Sequence, residues 1–268
     1  MNIIKNIKVE RVITRLLITL HMFVLPTAMA HETFLLPTQS VWEMNSDVEV
    51  RMASGLSFPD LTWGVNQERI SSSTVQLNGK NVADPSFKDG NGFLTVNFNA
   101  SEAGVGVVAI STKTRSGDIE HKNTEGYLEE IGASESIKQA FMALPGKPPL
   151  QRSYVKHTKS FICVKSCKGS RDLSSKPIGQ KLEFITANDD AGRFQLLLDG
   201  KPLPHHEVKV RDSEKELYQY RTDSRGMFSI REQVSGTVML AAVAITLPEK
   251  PDGLYHSDYA SLVLNTKQ

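Results

Sequence analysis

From residue 32 onward the chain keeps returning to one pattern: a short run in which apolar and polar residues alternate, closed by a turn. "TFLLP", "DVEVRMAS", "STVQLNGKNV" and "GFLTVNFNASEAGVGVVAIST" carry it through the first half. "KLEFITA", "RFQLLLDGKPLPHHEVKVRD", "KELYQYRTDSRGMFSIRE", "GTVMLAAVAIT" and "YASLVLN" carry it through the second. A period of two sends successive side chains to opposite faces of a strand. Many short strands at such spacing predict sandwiches of packed sheets. The turns agree, because Asn78-Gly79, Asp89-Gly90 and Asp199-Gly200 are pairs that tolerate the positive φ of tight hairpins. Asp223-Ser224-Arg225-Gly226 lets the chain reverse again before Phe228.

One stretch changes period. "NTEGYLEEIGASESIKQAFMALPG" places Tyr127, Leu128, Ile131, Ile137, Phe141 and Met142 at helical spacing, broken near Gly132, before Pro145, Gly146, Pro148 and Pro149 end it. "RSYVKHTKSFICVK" then alternates as a strand, and "GSRDLSSKP" reads as a loop or linker. The expected fold is mainly β: two immunoglobulin-like β-sandwich domains, residues 31–168 and 169–268, with a short helical excursion in or after the first.

Ahead of the first strand, Lys5, Lys8, Arg11 and Arg15 precede an apolar segment from Leu16 to Leu25, then Pro26 and the small-residue pattern Ala28-Met29-Ala30. That is the order of a secretory signal peptide, residues 1–30, with cleavage after Ala30. The apolar segment is about ten residues, short of the roughly 20 that a membrane span needs. Later apolar runs are also short and bounded by Gly and Pro, so no span is expected in the mature chain. Four of the 31 basic residues and one of the 30 acidic residues lie in this leader, leaving 27 against 29. Near-neutrality without basic blocks argues against nucleic acid as a partner. The expected location is the periplasm.

Two cysteines occur, Cys163 and Cys167 in "ICVKSCKGS". In an oxidising compartment an isolated pair reads as one disulfide. A straight strand would hold their α-carbons about 13 Å apart, too far to bridge, so the disulfide reading requires a turn at Lys165 and Ser166. A thiolate pair on a soft metal and two free thiols are the alternatives.

In order along the chain, a leader ending in Ala-His, "HETFLLP", "GLSFPD", "EGYLEEIGA", "RSYVKHTKSFICV", "PIGQKLEFI", "DGKPLPHHEVKV", "TDSRGMFSI" and "HSDYASLVL" resemble the bacterial periplasmic family called domain of unknown function 4198. The resemblance covers nearly the whole mature chain. It implies a metal-handling protein, since some members are described as nickel or cobalt uptake components. The cysteine pair departs from the family pattern, in which the corresponding strand runs on through a Val-Gly turn.

Cleavage after Ala30 would make His31 the first residue. An α-amine with a pKa near 7.7–8.0 and an imidazole near 6.5 both lose their protons at modest cost. The amine and Nδ1 then chelate one divalent transition metal ion, which suits Ni(II), Co(II) or Cu(II). A further imidazole would complete a three-nitrogen site. The candidates are His121, His157, His205, His206 and His256. His157 is preferred, because its strand is expected to share a sheet with the N-terminal strand, whereas His121 lies in an expected loop and His256 in the other domain. The adjacent His205 and His206 point apart if extended.

No G-x-S-x-G elbow, H-E-x-x-H helix, P-loop or G-x-G-x-x-G turn occurs, and neighbouring Glu129 and Glu130 do not face one another on a helix. An enzyme is not expected. A histidine-brace copper oxidase would use the same ligands, but no other feature argues for it. The leading expectation is an exported Ni/Co, or Cu, binding protein that serves a membrane metal transporter. The alternative is a non-enzymatic β-sandwich module that binds a protein or glycan.

Overall fold

The computed structural model describes residues 31–167, 171–187, 192–250 and 252–266; the expected signal peptide lies outside them. The middle layer is a ten-stranded sheet. Its main path runs Leu217–Arg221, Glu207–Asp212, Thr237–Thr246, Tyr255–Asn265, Leu150–Val164, Gly104–Thr112, Ile70–Leu77, Lys80–Asn81. Arg115–Ile119 and Val41–Trp42 attach to Leu150–Val164. A five-stranded sheet, Glu32–Pro37, Asp47–Gly55, Leu94–Asn99 and Ser86–Asp89 with Trp63–Gly64, covers one face. A four-stranded sheet, Leu182–Thr186, Arg193–Leu198, Lys201–Pro202 and Met227–Ser229, covers the other.

The period of two decides which core a residue serves. Val105, Val107 and Phe161 pack with Leu182, Phe184 and Phe194 under the four-stranded sheet. Their neighbours Val108, Ile110 and Ile162 pack with Leu35, Val50 and Leu94 under the five-stranded sheet. In the same way Val238 and Leu240 face one way, while Met239 and Ala241 meet Phe34 and Phe58. Strands buried on both faces need apolar residues at every position, which is why "GVGVVAIST" and "VMLAAVAI" read as continuous apolar runs. Each fully buried Val, Leu or Phe contributes about 1.5–3 kcal/mol.

The molecule is mainly β, as expected. The middle sheet, however, crosses the expected boundary at residue 168: Leu150–Val164 runs parallel to Tyr255–Asn265, from Arg152 opposite Tyr255 to Ser160 opposite Val263. Alternation identifies a strand but not its partner, and these partners are about a hundred residues apart, joined by the long crossover that parallel pairing demands.

Two of the three hairpin turns read from sequence have the required backbone, with φ of 52° and 77° at Asn78-Gly79 and 50° and 72° at Asp199-Gly200; between Ser86–Asp89 and Leu94–Asn99 the positive φ falls on Gly92, at 84°, and not on Asp89-Gly90. The helical excursion is two helices, His121–Glu130 and Glu135–Met142, and the Ser134 hydroxyl caps the second by accepting from Ile137 N. Tyr127, Leu128, Ile131 and Phe141 bury against Leu150 and Tyr255, whereas Met142 stays exposed. Part of the expected linker forms a single helical turn, Arg171–Ser174. Among the described residues no helix is long and apolar enough to cross a membrane. Cys163 and Cys167 are joined as a disulfide with α-carbons 5.6 Å apart, and Lys165, at φ 60°, supplies the turn between them.

Candidate functional site

His31 lies at the start of Glu32–Pro37, its side chain exposed and its ring edge-on to Trp63 at 4.4 Å between centroids. The residues after it are pinned. Glu32 accepts from Phe58 N at 2.7 Å and from Arg211 Nε at 3.1 and 3.2 Å. Thr33 donates its N–H to Tyr259 Oη at 3.3 Å, and its carbonyl accepts from Ser261 Oγ at 2.8 Å. The first residue of the described chain is thus presented from a fixed strand. Partial burial lowers the His31 pKa below the ordinary imidazole value, with the Lys156 ammonium adding to it, which favours the neutral ring.

The strand Leu150–Val164 does pass beside His31, but it contributes Lys156. The Lys156 ammonium donates to the His31 carbonyl at 3.0 Å and to Thr33 Oγ1 at 2.6 Å, and lies 5.6 Å from the Tyr259 ring centroid. Burial, followed by the fields of Arg69, Arg152 and Arg115, brings its pKa down to about 8. Burial, followed by the Glu32 charge, pushes the Tyr259 hydroxyl upward.

His157, one residue on, projects from the opposite face. It is buried, with Nδ1 2.9 Å from Ser111 Oγ and Nε2 3.3 Å from Asp258 Oδ1. Gln180 Nε2 donates to the same serine hydroxyl at 3.4 Å and to the Thr158 carbonyl at 3.2 Å. Asp258 also faces Lys181 at 2.9 Å and His256 Nε2 at 3.5 Å, and His256 Nδ1 lies 2.8 Å from Ser153 Oγ. Burial pushes Asp258 up, but hydrogen bonds from His157 and Lys181 outweigh it and leave the carboxyl below its usual range. Both His157 nitrogens therefore already have partners, and it faces away from the His31 chelate that it was expected to complete.

Further along the same face, Lys159 and Glu183 form a fully buried ion pair. Glu183 also accepts from the backbone N–H groups of Ile178, Gly179 and Gln180 at 2.7, 3.0 and 3.1 Å, and Lys159 donates to the Phe184 carbonyl at 2.8 Å. These bonds offset the cost of taking both charges out of water.

The remaining histidines disperse. His121 heads the first helix, not a loop, with Nδ1 3.2 Å from the Pro148 carbonyl. His205 is exposed and sits in a turn at φ 54°, not in an extended segment, and His206 has Nε2 3.0 Å from the Val243 carbonyl. Among the described residues no three His, Cys, Asp or Glu side chains are grouped to hold a metal ion. His31 is therefore left without the second imidazole that His157 was expected to supply. Sequence reasoning passed over Lys156 and Asp258. The lysines of "YVKHTKSFI" and the aspartate of "HSDYASLVL" were the available signal, being charges inside otherwise strand-like runs.

No curated protein matches the chain. Three of the solved structures similar to it illustrate the match. They are a chimeric titin Z1Z2-Z1Z2 tandem carrying a fibronectin peptide (9% identity, 88% of this chain and 100% of that one, TM-score 0.23), the adhesin InvE of Yersinia pseudotuberculosis (11%, 87% and 60%, TM-score 0.23) and the collagen adhesin of S. aureus (8%, 90% and 98%, TM-score 0.14). TM-scores of this size carry no argument about arrangement or function. A family model matches residues 28–246, from the small residues ahead of His31 to the end of Thr237–Thr246, and the chain belongs to that family, described as Domain of unknown function (DUF4198).

Proposed function

We propose that the chain is an exported periplasmic protein that carries Ni(II) or Co(II), with Cu(II) as the competing cargo, and serves a membrane metal transporter without catalysing a reaction. Removal of residues 1–30 frees the α-amine of His31, and the amine and imidazole take the ion together. The observation that carries this reading is the setting of His31: exposed and held by a strand whose next two residues, Glu32 and Thr33, are fixed, with its imidazole pKa lowered by partial burial and the Lys156 charge. A neutral ring is ready to ligate, and a rigid mount lowers the ordering cost of binding. With His157 committed elsewhere, the protein supplies two nitrogens, and solvent or a receiving transporter supplies the rest. Such an open site suits a carrier that must release its ion.

The test titrates Ni(II), Co(II) and Cu(II) into the processed chain and into a form with one extra residue ahead of His31. The processed chain is expected to bind at least about a hundredfold more tightly, because extension destroys the chelate ring. Equal, weak binding by both forms would refute the reading, as would mass spectrometry of exported material with a different first residue.

A further inference from the structure

Lys156 is one of four cations gathered on the face of the middle sheet that carries His31. Arg115 stands opposite Tyr154 in the antiparallel pairing of Arg115–Ile119 with Leu150–Val164, and Arg152 and Lys156 lie two residues to either side of Tyr154. The period of two therefore places these three on one face. Arg69 enters from the head of Ile70–Leu77, where its carbonyl accepts from Lys113 N at 2.7 Å. Tyr127 of the helical pair flanks the group on one side and His31 of the covering sheet flanks it on the other.

No ion pair among the described residues involves any of the four. Their mutual repulsion is felt: after burial itself, Arg115 holds Arg69 below its ordinary pKa, as Arg69, Arg152 and Arg115 do Lys156. Like charges drawn together without a counter-charge cost stability, and more so away from water. Two of the guanidinium groups, Arg69 and Arg152, also have a buried Nε with no hydrogen-bond partner. Buried N–H donors are nearly always matched in folded proteins. Arg152 is further fixed by aromatic contacts, its guanidinium carbon 4.8 Å from the ring centroids of both Tyr127 and Tyr154, with Nη1 donating to Tyr127 Oη at 3.0 Å. Stacking occupies the faces of a guanidinium and leaves its in-plane N–H fork, whose geometry matches a carboxylate or phosphate.

We propose that Arg69, Arg115, Arg152 and Lys156 form a binding site for a small, multiply charged oxyanion, a polycarboxylate or a phosphate. The site goes beyond the metal reading and is independent of it, since it needs neither a free amine nor an ion at His31.

Isothermal titration of citrate and of inorganic phosphate, in metal-free buffer of low ionic strength, tests it on the chain extended by one residue ahead of His31. At least one anion is expected to bind with a submillimolar Kd that weakens with added salt. Arg152→Met is expected to weaken it about tenfold or more. Arg115→Gln, an exposed position whose loss leaves the packing intact, is expected to weaken it about threefold. Binding of citrate alone assigns a carboxylate ligand, of phosphate alone a phosphate ligand, and of both a site that reads charge. Absence of binding by either anion overturns the proposal, as does equal binding by wild type and both variants.

Discussion

Lys156 and His157 are neighbours in one strand, yet they belong to regions built on opposite principles. On the His157 side, the charged groups answer one another. The ring is held between Ser111 and Asp258, Asp258 is shared with Lys181 and His256, and Lys159 closes on Glu183. On the Lys156 side, three arginines and a lysine share a face with no carboxylate among the described residues in ion-pair contact with them, and His31 stands open beside them. A polar layer whose members satisfy one another specifies architecture. A surplus of one sign, left unmatched, is directed at something outside the chain.

The comparison can be broken most severely on the closed side. Glu183→Ala leaves the Lys159 ammonium buried without its carboxylate and strips acceptors from three backbone N–H groups, so a loss of about 3–5 kcal/mol is expected in urea unfolding. A loss under about 1 kcal/mol would mean that water reaches the pair and that the region is not closed. His157→Ala should cost about 1–3 kcal/mol, from the partners it leaves unmatched. Its Ni(II) affinity should match that of wild type, because both ring nitrogens are already engaged. Weakened metal binding by a folded His157→Ala variant would merge the two regions into one site.

The smallest effect sharpens the open side. The Lys156 pKa of about 8 lies below the ordinary 10.5, so the folded state disfavours the ammonium. The unfolded chain therefore binds more protons between these values, and this group makes stability rise with pH from about 8 to about 10.5. Below pH 8 its penalty is fully present. Lys156→Met should flatten that rise, as read from urea midpoints at pH 7, 9 and 10.5; an unchanged slope would place the ammonium in ordinary solvent.

Much of the molecule was legible before its fold was known. The alternating runs marked the strands, Asn78-Gly79 and Asp199-Gly200 marked two hairpins, and the disulfide reading required a turn at Lys165 and Ser166. The helical stretch was visible from its change of period, although Met142 was assigned to an apolar face and is exposed. The candidate site was half legible. His31 followed from the leader and its chemistry, whereas the neighbour supplied by Leu150–Val164 was expected to be His157 and is Lys156. That difference is one residue, and in a strand one residue reverses the face.

Local chemistry sets what a strand or turn is, because the period of two, the φ that Asn-Gly allows and the reach of two cysteines all act within a few residues. The amino-acid sequence by itself therefore determined a chain of β-strands, its tight turns and a histidine at the head of the first strand. Only the tertiary structure decided that Leu150–Val164 pairs with Tyr255–Asn265 across the expected domain boundary, and so which of two adjacent residues meets His31 and which meets Asp258. Such pairings join residues about a hundred positions apart and are settled by the burial of both faces of a sheet, an energy that no short window of sequence contains.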